Sequence, residues 1–225
     1  MKYVHYIFRN VMRNKLRSLL TIMAIWMCLM LMTFLYGYLA VMKMWEGEAA
    51  KYNRMVVMNL NGFTSPVPYA ALAVVRSMPS VDAAVPYSWF GGLYRDERFS
   101  FAQFGTDPQL VFEVWNEFKI PPDQLEQFKK NKQGCVCDKK LAEKYQWKIG
   151  EHVPLKGTIY PYDLDLTLVG IYEAPNDTQS LWFNWNYLDE GLKKQGGRMA
   201  GNCGTIFLLA ASSPRSHPAR ASEAV

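Results

Sequence analysis

From Ser18 to Met42 the chain runs for 25 residues without a charge (SLLTIMAIWMCLMLMTFLYGYLAVM), between Arg17 and Lys43. Coiled as a helix, the run reaches roughly 37 Å at ~1.5 Å per residue, enough to cross a hydrocarbon core of about 30 Å with some tilt. A cleaved signal peptide carries an apolar region of only ~7–15 residues and ends in a small-x-small site. Here Trp45, Glu46 and Glu48 follow instead. The pattern predicts a retained transmembrane helix. Just before it, Tyr3, Val4, Ile7, Phe8, Val11 and Met12 fall on one helical arc, and Lys2, Arg9, Asn10, Arg13 and Arg17 on the other. An apolar face opposite a basic one suits a helix lying on the membrane surface; the basic residues alone would serve equally as flanking charge.

Beyond the span the periodicity changes repeatedly. Alternating or β-branched runs predict strands at 54–60, 81–94, 98–104, 134–138, 151–156, 164–172 and 204–210. Asp96-Glu97 marks a hairpin between the second and third, and Gly91-Gly92 breaks the second. Helical spacing with start and stop signals predicts helices at 69–78, 107–115 (Asp107 as N-cap, Pro108 at N1), from Pro121 onward, 138–146 and 180–195. Strands and helices interleave without a repeat, an α+β order. The seven residues Gly204–Ala210 are too few to span a membrane. From Ser212 the composition turns to Ser, Ala, Pro and Arg, which suits a disordered end or a helix cut short. The expected segments are thus an interfacial helix (1–17), a span (18–44), an α+β domain (45–211) and a tail (212–225).

Charge sharpens the topology. The net charge is +5, yet residues 1–44 hold six basic side chains and no acidic one, leaving 19 basic against 20 acidic beyond them. Lys2, Arg9, Arg13, Lys15 and Arg17 precede the span and Lys43 alone follows it closely, which places the N-terminus in the cytoplasm and the domain outside. The basic pI belongs to the anchor, so nucleic-acid binding is excluded as a reading.

Candidate chemistry is sparse. There is no Gly-x4-Gly-Lys-[Ser/Thr], Gly-x-Ser-x-Gly, His-Glu-x-x-His or Gly-x-Gly-x-x-Gly. His5, His152 and His217 are scattered, Asp163 and Asp165 alternate on a strand, and Asp138, Lys139 and Lys140 read as a helix start on a solvated surface. The expectation is no catalytic residue, no metal site and no cofactor. Cys135 and Cys137 point to one face of a strand, as buried free thiols or as a redox-labile pair that export would favour. Trp182, Phe183, Trp185 and Tyr187 are either aromatics packed on a sheet or a surface for a partner or an apolar ligand.

Two stretches carry a family likeness. Asn10-x-x-Arg13-Asn14-Lys15-x-Arg17-Ser18-x-Leu20-Thr21, running into Ile25, resembles the basic elbow helix and first transmembrane helix of MacB/FtsX-type ABC transporter permeases. Phe104–Pro108, Cys135–Cys137 to Leu141-Ala142, Trp147–Leu155 and Leu166–Tyr172 are similar in order and spacing to that family's periplasmic core domain. The resemblance implies a bacterial inner-membrane permease with a two-lobed exported α+β domain. It also implies a separate cytoplasmic ABC ATPase, pairing of permeases, mechanical coupling, and a periplasmic adaptor as a further partner. The family pattern has one span before the exported domain and three after it. None follows Met44 here, so the resemblance implies a partial permease, shortened at its C-terminus. The alternative is a single-pass protein whose exported domain senses or scaffolds.

Overall fold

The computed structural model describes residues 6, 13–62, 65–95, 101–175, 178–197 and 199–211. The expected surface helix (2–17) and the tail (212–225) lie largely outside them. The chain divides into two compact units, Met1–Lys51 and the residues from Tyr52 onward.

The first unit is α1, 37 residues from Lys15 to Lys51. Among its described side chains, Leu19, Trp26, Leu29, Phe34 and Tyr36 are all more than half exposed. A helix whose described apolar side chains are exposed on every side is suited to an apolar solvent such as a bilayer. Thr21 and Thr33 return their hydroxyls to the carbonyls of Arg17 and Leu29, so neither brings an unpaired donor into that solvent.

The second unit is built on one eight-stranded mixed sheet. Its strands are β1 (Arg54–Val57), β3 (Val81–Trp89), β4 (Ala102–Thr106), β5 (Gly134–Asp138), β6 (His152–Leu155), β7 (Leu164–Tyr172), β8 (Ser180–Asn184) and β10 (Thr205–Ala210). They lie in the order β1-β10-β3-β4-β8-β5-β7-β6, and β2 (Val67–Pro68) pairs with β9 (Asn202–Cys203) as a separate ribbon. Two neighbouring pairs, β4–β8 and β5–β7, are parallel and the others antiparallel. The helices are α2 (Ala70–Arg76), α3 (Val111–Val114), α4 (Pro122–Lys130), α5 (Lys139–Tyr145) and α6 (Trp185–Lys194). The contacts gather everything from Tyr52 onward into one unit, without the expected division into two lobes.

Each sheet face buries its own core. On one, Cys135, Cys137, Leu166, Leu168, Leu181 and Phe183 pack with Leu141 of α5 and Leu188 and Leu192 of α6. Alongside, Leu72 and Val75 of α2 cover Ile206 and Leu208. On the other face Val85, Val136, Tyr172 and Trp182 meet Val111 and Val114 of α3 and Phe128 of α4. Between β5 and β7 the register slips by one residue, so that Cys135 faces Leu168 and Val136 faces Gly170. This bulge lets Leu168 and Ile171 point to the same face although they are three apart. A Cβ on Gly170 would stand 3.1 Å from Gln124, Ile120 and Val136, which accounts for the glycine.

Most expected elements are present with shifted ends. The helix expected over 107–115 shrinks to α3: residues 108–110 form a turn, in which Asp107 Oδ1 accepts from Gln109 N at 3.0 Å while its Oδ2 accepts from Arg76 at 2.7 Å. Strand β3 ends at Trp89, just before Gly91 with φ +61, and it pairs with β4 in antiparallel register; the turn at 96–100 lies outside the described residues. The helix expected over 180–195 is corrected: its first five residues are β8, fully buried between β4 and β5. A strand covered on both faces shows a continuous apolar run, which periodicity cannot separate from a helix. The helix proper starts where the Asn184 side chain caps Asn186 N at 3.0 Å.

Candidate functional site

The residues singled out by sequence scatter over the domain. Cys135 and Cys137 are buried, free, and on the same face of β5. Burial, then the neighbouring Cys137, pushes the Cys135 thiol well above its ordinary value; burial, then Asp138, raises Cys137 to about 12. Thiols so disfavoured as thiolates are core groups and poor nucleophiles. Asp163 Oδ1 accepts from Gly157 N at 2.8 Å, while exposed Asp165 sits 3.5 Å from His152 across the β6–β7 pair. These are loop closure and a surface contact. Asp138 is not on a solvated surface: it is 3% exposed and its Oδ2 accepts from Gln179 N at 3.3 Å. Trp182, Phe183 and Trp185 are buried; Trp182 stacks on Tyr172 and Phe118 and donates to Tyr87 Oη at 3.2 Å. Among the described residues no group of His, Cys, Asp and Glu could hold a metal ion.

What the structure assembles instead is an open groove of about 840 Å³ at the carboxyl ends of the parallel strands β5 and β7. Because Asp138 and Tyr172 lie in register, the next residues, Lys139 and Glu173, emerge side by side and close an ion pair of 2.6 Å. That hydrogen bond, reinforced by the lysine's charge, lowers the Glu173 carboxyl below its ordinary range and raises Lys139. Lys119 extends the sheet locally through two backbone bonds to Glu173, of 2.8 and 3.0 Å, which brings Ile120 and Pro121 to one wall. Ile171 N donates to Gln124 Oε1 at 2.8 Å, leaving its side chain part of the lining. On the other wall α5 ends at Gln146 with φ 55, a left-handed turn that folds Trp147 back beneath the helix. There Trp147 N donates to Ala142 O at 2.9 Å and Nε1 to Tyr94 Oη at 3.0 Å. The lining is mostly apolar, with Lys119, Lys139, Glu143, Lys148 and Glu173 around it. Size, lining and position are those of a small-molecule crevice. Sequence reading missed it because its residues come from three separate stretches: 119–121, 139–148 and 171–173.

The family model of the MacB-like periplasmic core domain matches residues 18–225. The chain belongs to that family. The MacB-like fold recurs in solved structures. The periplasmic region of MacB from Actinobacillus actinomycetemcomitans shares 15% identity and a TM-score of 0.53, over 72% of this chain and 76% of that one. The extracellular domain of the noncanonic ABC-type transporter YknZ from Gram-positive bacteria has 13% identity and a TM-score of 0.49, over 71% and 83%. A permease-protein domain from Porphyromonas gingivalis has 13% and 0.49, over 72% and 76%. A search of curated proteins finds no match. The chain therefore joins an apolar helix to a MacB-like periplasmic core domain of the kind carried by ABC-type transporter permeases, and the eight-stranded sheet with its groove is this protein's form of that domain.

Proposed function

We propose that the protein is a permease subunit of an ABC transporter, exporting or extracting a substrate outside the membrane with energy from a separate cytoplasmic ATPase. In this reading residues 1–17 lie on the cytoplasmic face of the bacterial inner membrane, 18–44 cross it, 45–211 form the exported domain, and 212–225 are a tail. Permeases pair, a periplasmic adaptor docks outside, and coupling is mechanical. The observation that carries the reading is the reach of the family match, which begins at Ser18 on the apolar helix and continues through the whole sheet domain. Anchor and domain thus belong to one known arrangement. In this reading ATP is hydrolysed by a partner ATPase, and the exported domain converts that energy into movement of substrate.

Affinity purification of the chain from its native membranes in mild detergent tests this. An ABC ATPase should co-purify in stoichiometric amount. Recovery of other membrane proteins with no ATPase among them would overturn the permease reading and leave an anchored sensor or scaffold.

A further inference from the structure

We propose that the groove at the ends of β5 and β7 binds an anionic amphiphile, a single acyl chain ending in a carboxylate. Its hydrocarbon would lie on Ile120, Ala142 and Ile171, and its head between Lys119 and Lys148. The site stands on the domain's own geometry, whether or not an ATPase drives the protein.

Two observations choose this occupant. The first is size: a concave crevice of about 840 Å³ takes a small molecule, whereas a protein partner needs a much broader surface. The second is charge. Beyond the anchor the chain is balanced, 19 basic against 20 acidic residues. Yet the groove is lined by Lys119, Lys139 and Lys148 against Glu143 and Glu173, a local excess of positive charge. Of the two carboxylates at the rim, Glu173 is already taken by Lys139 at 2.6 Å. Lys119 and Lys148 line the groove with exposed side chains, Lys119 acting on Glu173 through its charge without closing a salt bridge to it, so both ammoniums can turn to a ligand. A cationic amphiphile would meet these ammoniums with repulsion. An anionic one gains charge-assisted hydrogen bonds while its chain covers apolar surface that water otherwise wets.

The full chain in phosphatidylcholine nanodiscs, exposed to a diazirine-bearing hexadecanoate and separately to the matching hexadecylamine, gives the test. Both probes enter the bilayer and label α1, which serves as internal standard. The carboxylate probe should also label peptides containing residues 119–121, 142–148 and 171, at least tenfold more than the amine does. Replacing both exposed lysines, Lys119→Glu and Lys148→Glu, should cut that labelling roughly tenfold, about what reversing two solvent-facing contacts supplies. Ile171→Asp should reduce groove labelling by the carboxylate further. Equal groove labelling by the two probes, or labelling confined to α1, would overturn the proposal. The comparison of probes on the unaltered chain decides even if a variant misfolds, and neither result bears on the ATPase test.

Discussion

The first strand after the long apolar helix is tied to the domain by its ladder to β10 and by one side chain, whose loss has a calculable effect. Arg54 opens β1, three residues beyond the end of α1, at the edge of the sheet. Its Nη2 meets both oxygens of Glu117 at 2.6 and 2.7 Å, its Nε donates to Val114 O at 3.1 Å, and its guanidinium lies 4.9 Å from the Trp115 ring centre. The two side chains are only 12% and 10% exposed. Glu117→Gln would leave a nearly buried guanidinium facing a neutral amide. Breaking a buried pair by removing one partner costs about 3–5 kcal/mol, and residual solvent access puts this one near 3. For a domain of this size 1 kcal/mol moves the melting temperature by roughly 2–4 °C, so a fall of about 6–12 °C is expected. Arg54→Met combined with Glu117→Leu removes both charges and should lose about 2 kcal/mol less than the two single changes added together. Thermal melts of the full chain in nonionic detergent, followed by tryptophan fluorescence, measure the unaltered chain, Glu117→Gln, the two single changes and the double variant, and Trp115 reports from beside the pair. A shift below about 2 °C for Glu117→Gln, or strict additivity of the double variant, would show that the contact is solvent-screened and that β1 is held by its ladder to β10 alone.

Four other expectations follow, three of them from local geometry. Burial holds Cys137 as a thiol up to about 12 against 9.0 for a free one. Unfolding therefore releases a proton above pH 9; stability should be level below that and fall between pH 9 and 12, less steeply in Cys137→Ala, as denaturant titrations across that range would record. The same burial predicts that Cys135, Cys137 and Cys203 resist maleimide at pH 8 in the native chain and react after denaturation; fast native labelling would contradict it. A Cβ on Gly157 would collide with the backbone carbonyls of Tyr160 and Tyr162, whereas one on Gly191 meets the half-exposed Tyr162 ring, which can swing away. Gly157→Ala should thus lower the melting temperature more than Gly191→Ala, and the reverse order would count against the loop geometry. Finally, an export-dependent reporter fused after Ala211 should be active; activity of a cytoplasm-dependent reporter there would invert the topology.

The residues alone determine the anchor and most of the element list. A bilayer acts on one helix at a time, so the run from Ser18 to Met42 needs no partner to be recognised, and α1 indeed carries its apolar side chains outward. Strands β5 and β7 have the bounds expected of them, because alternation, turn residues and caps are properties of a few neighbours in the chain. What the residues do not contain is who pairs with whom. Strand β10 enters between β1 and β3, and β8 between β4 and β5, pairings across many tens of residues that leave no local mark. For that reason Ser180 to Asn184 read as the first turns of a helix until the sheet buries them on both faces. Asp138 likewise reads as a solvated helix start, until β8 arrives beside it and Gln179 N–H takes its carboxylate. The groove depends wholly on tertiary structure: Lys139 and Glu173 meet only because β5 and β7 run parallel with Asp138 opposite Tyr172. Local pattern records how a side chain meets its chain neighbours and its solvent. A crevice is formed by residues distant in sequence, and only the register of the sheet brings them to one place.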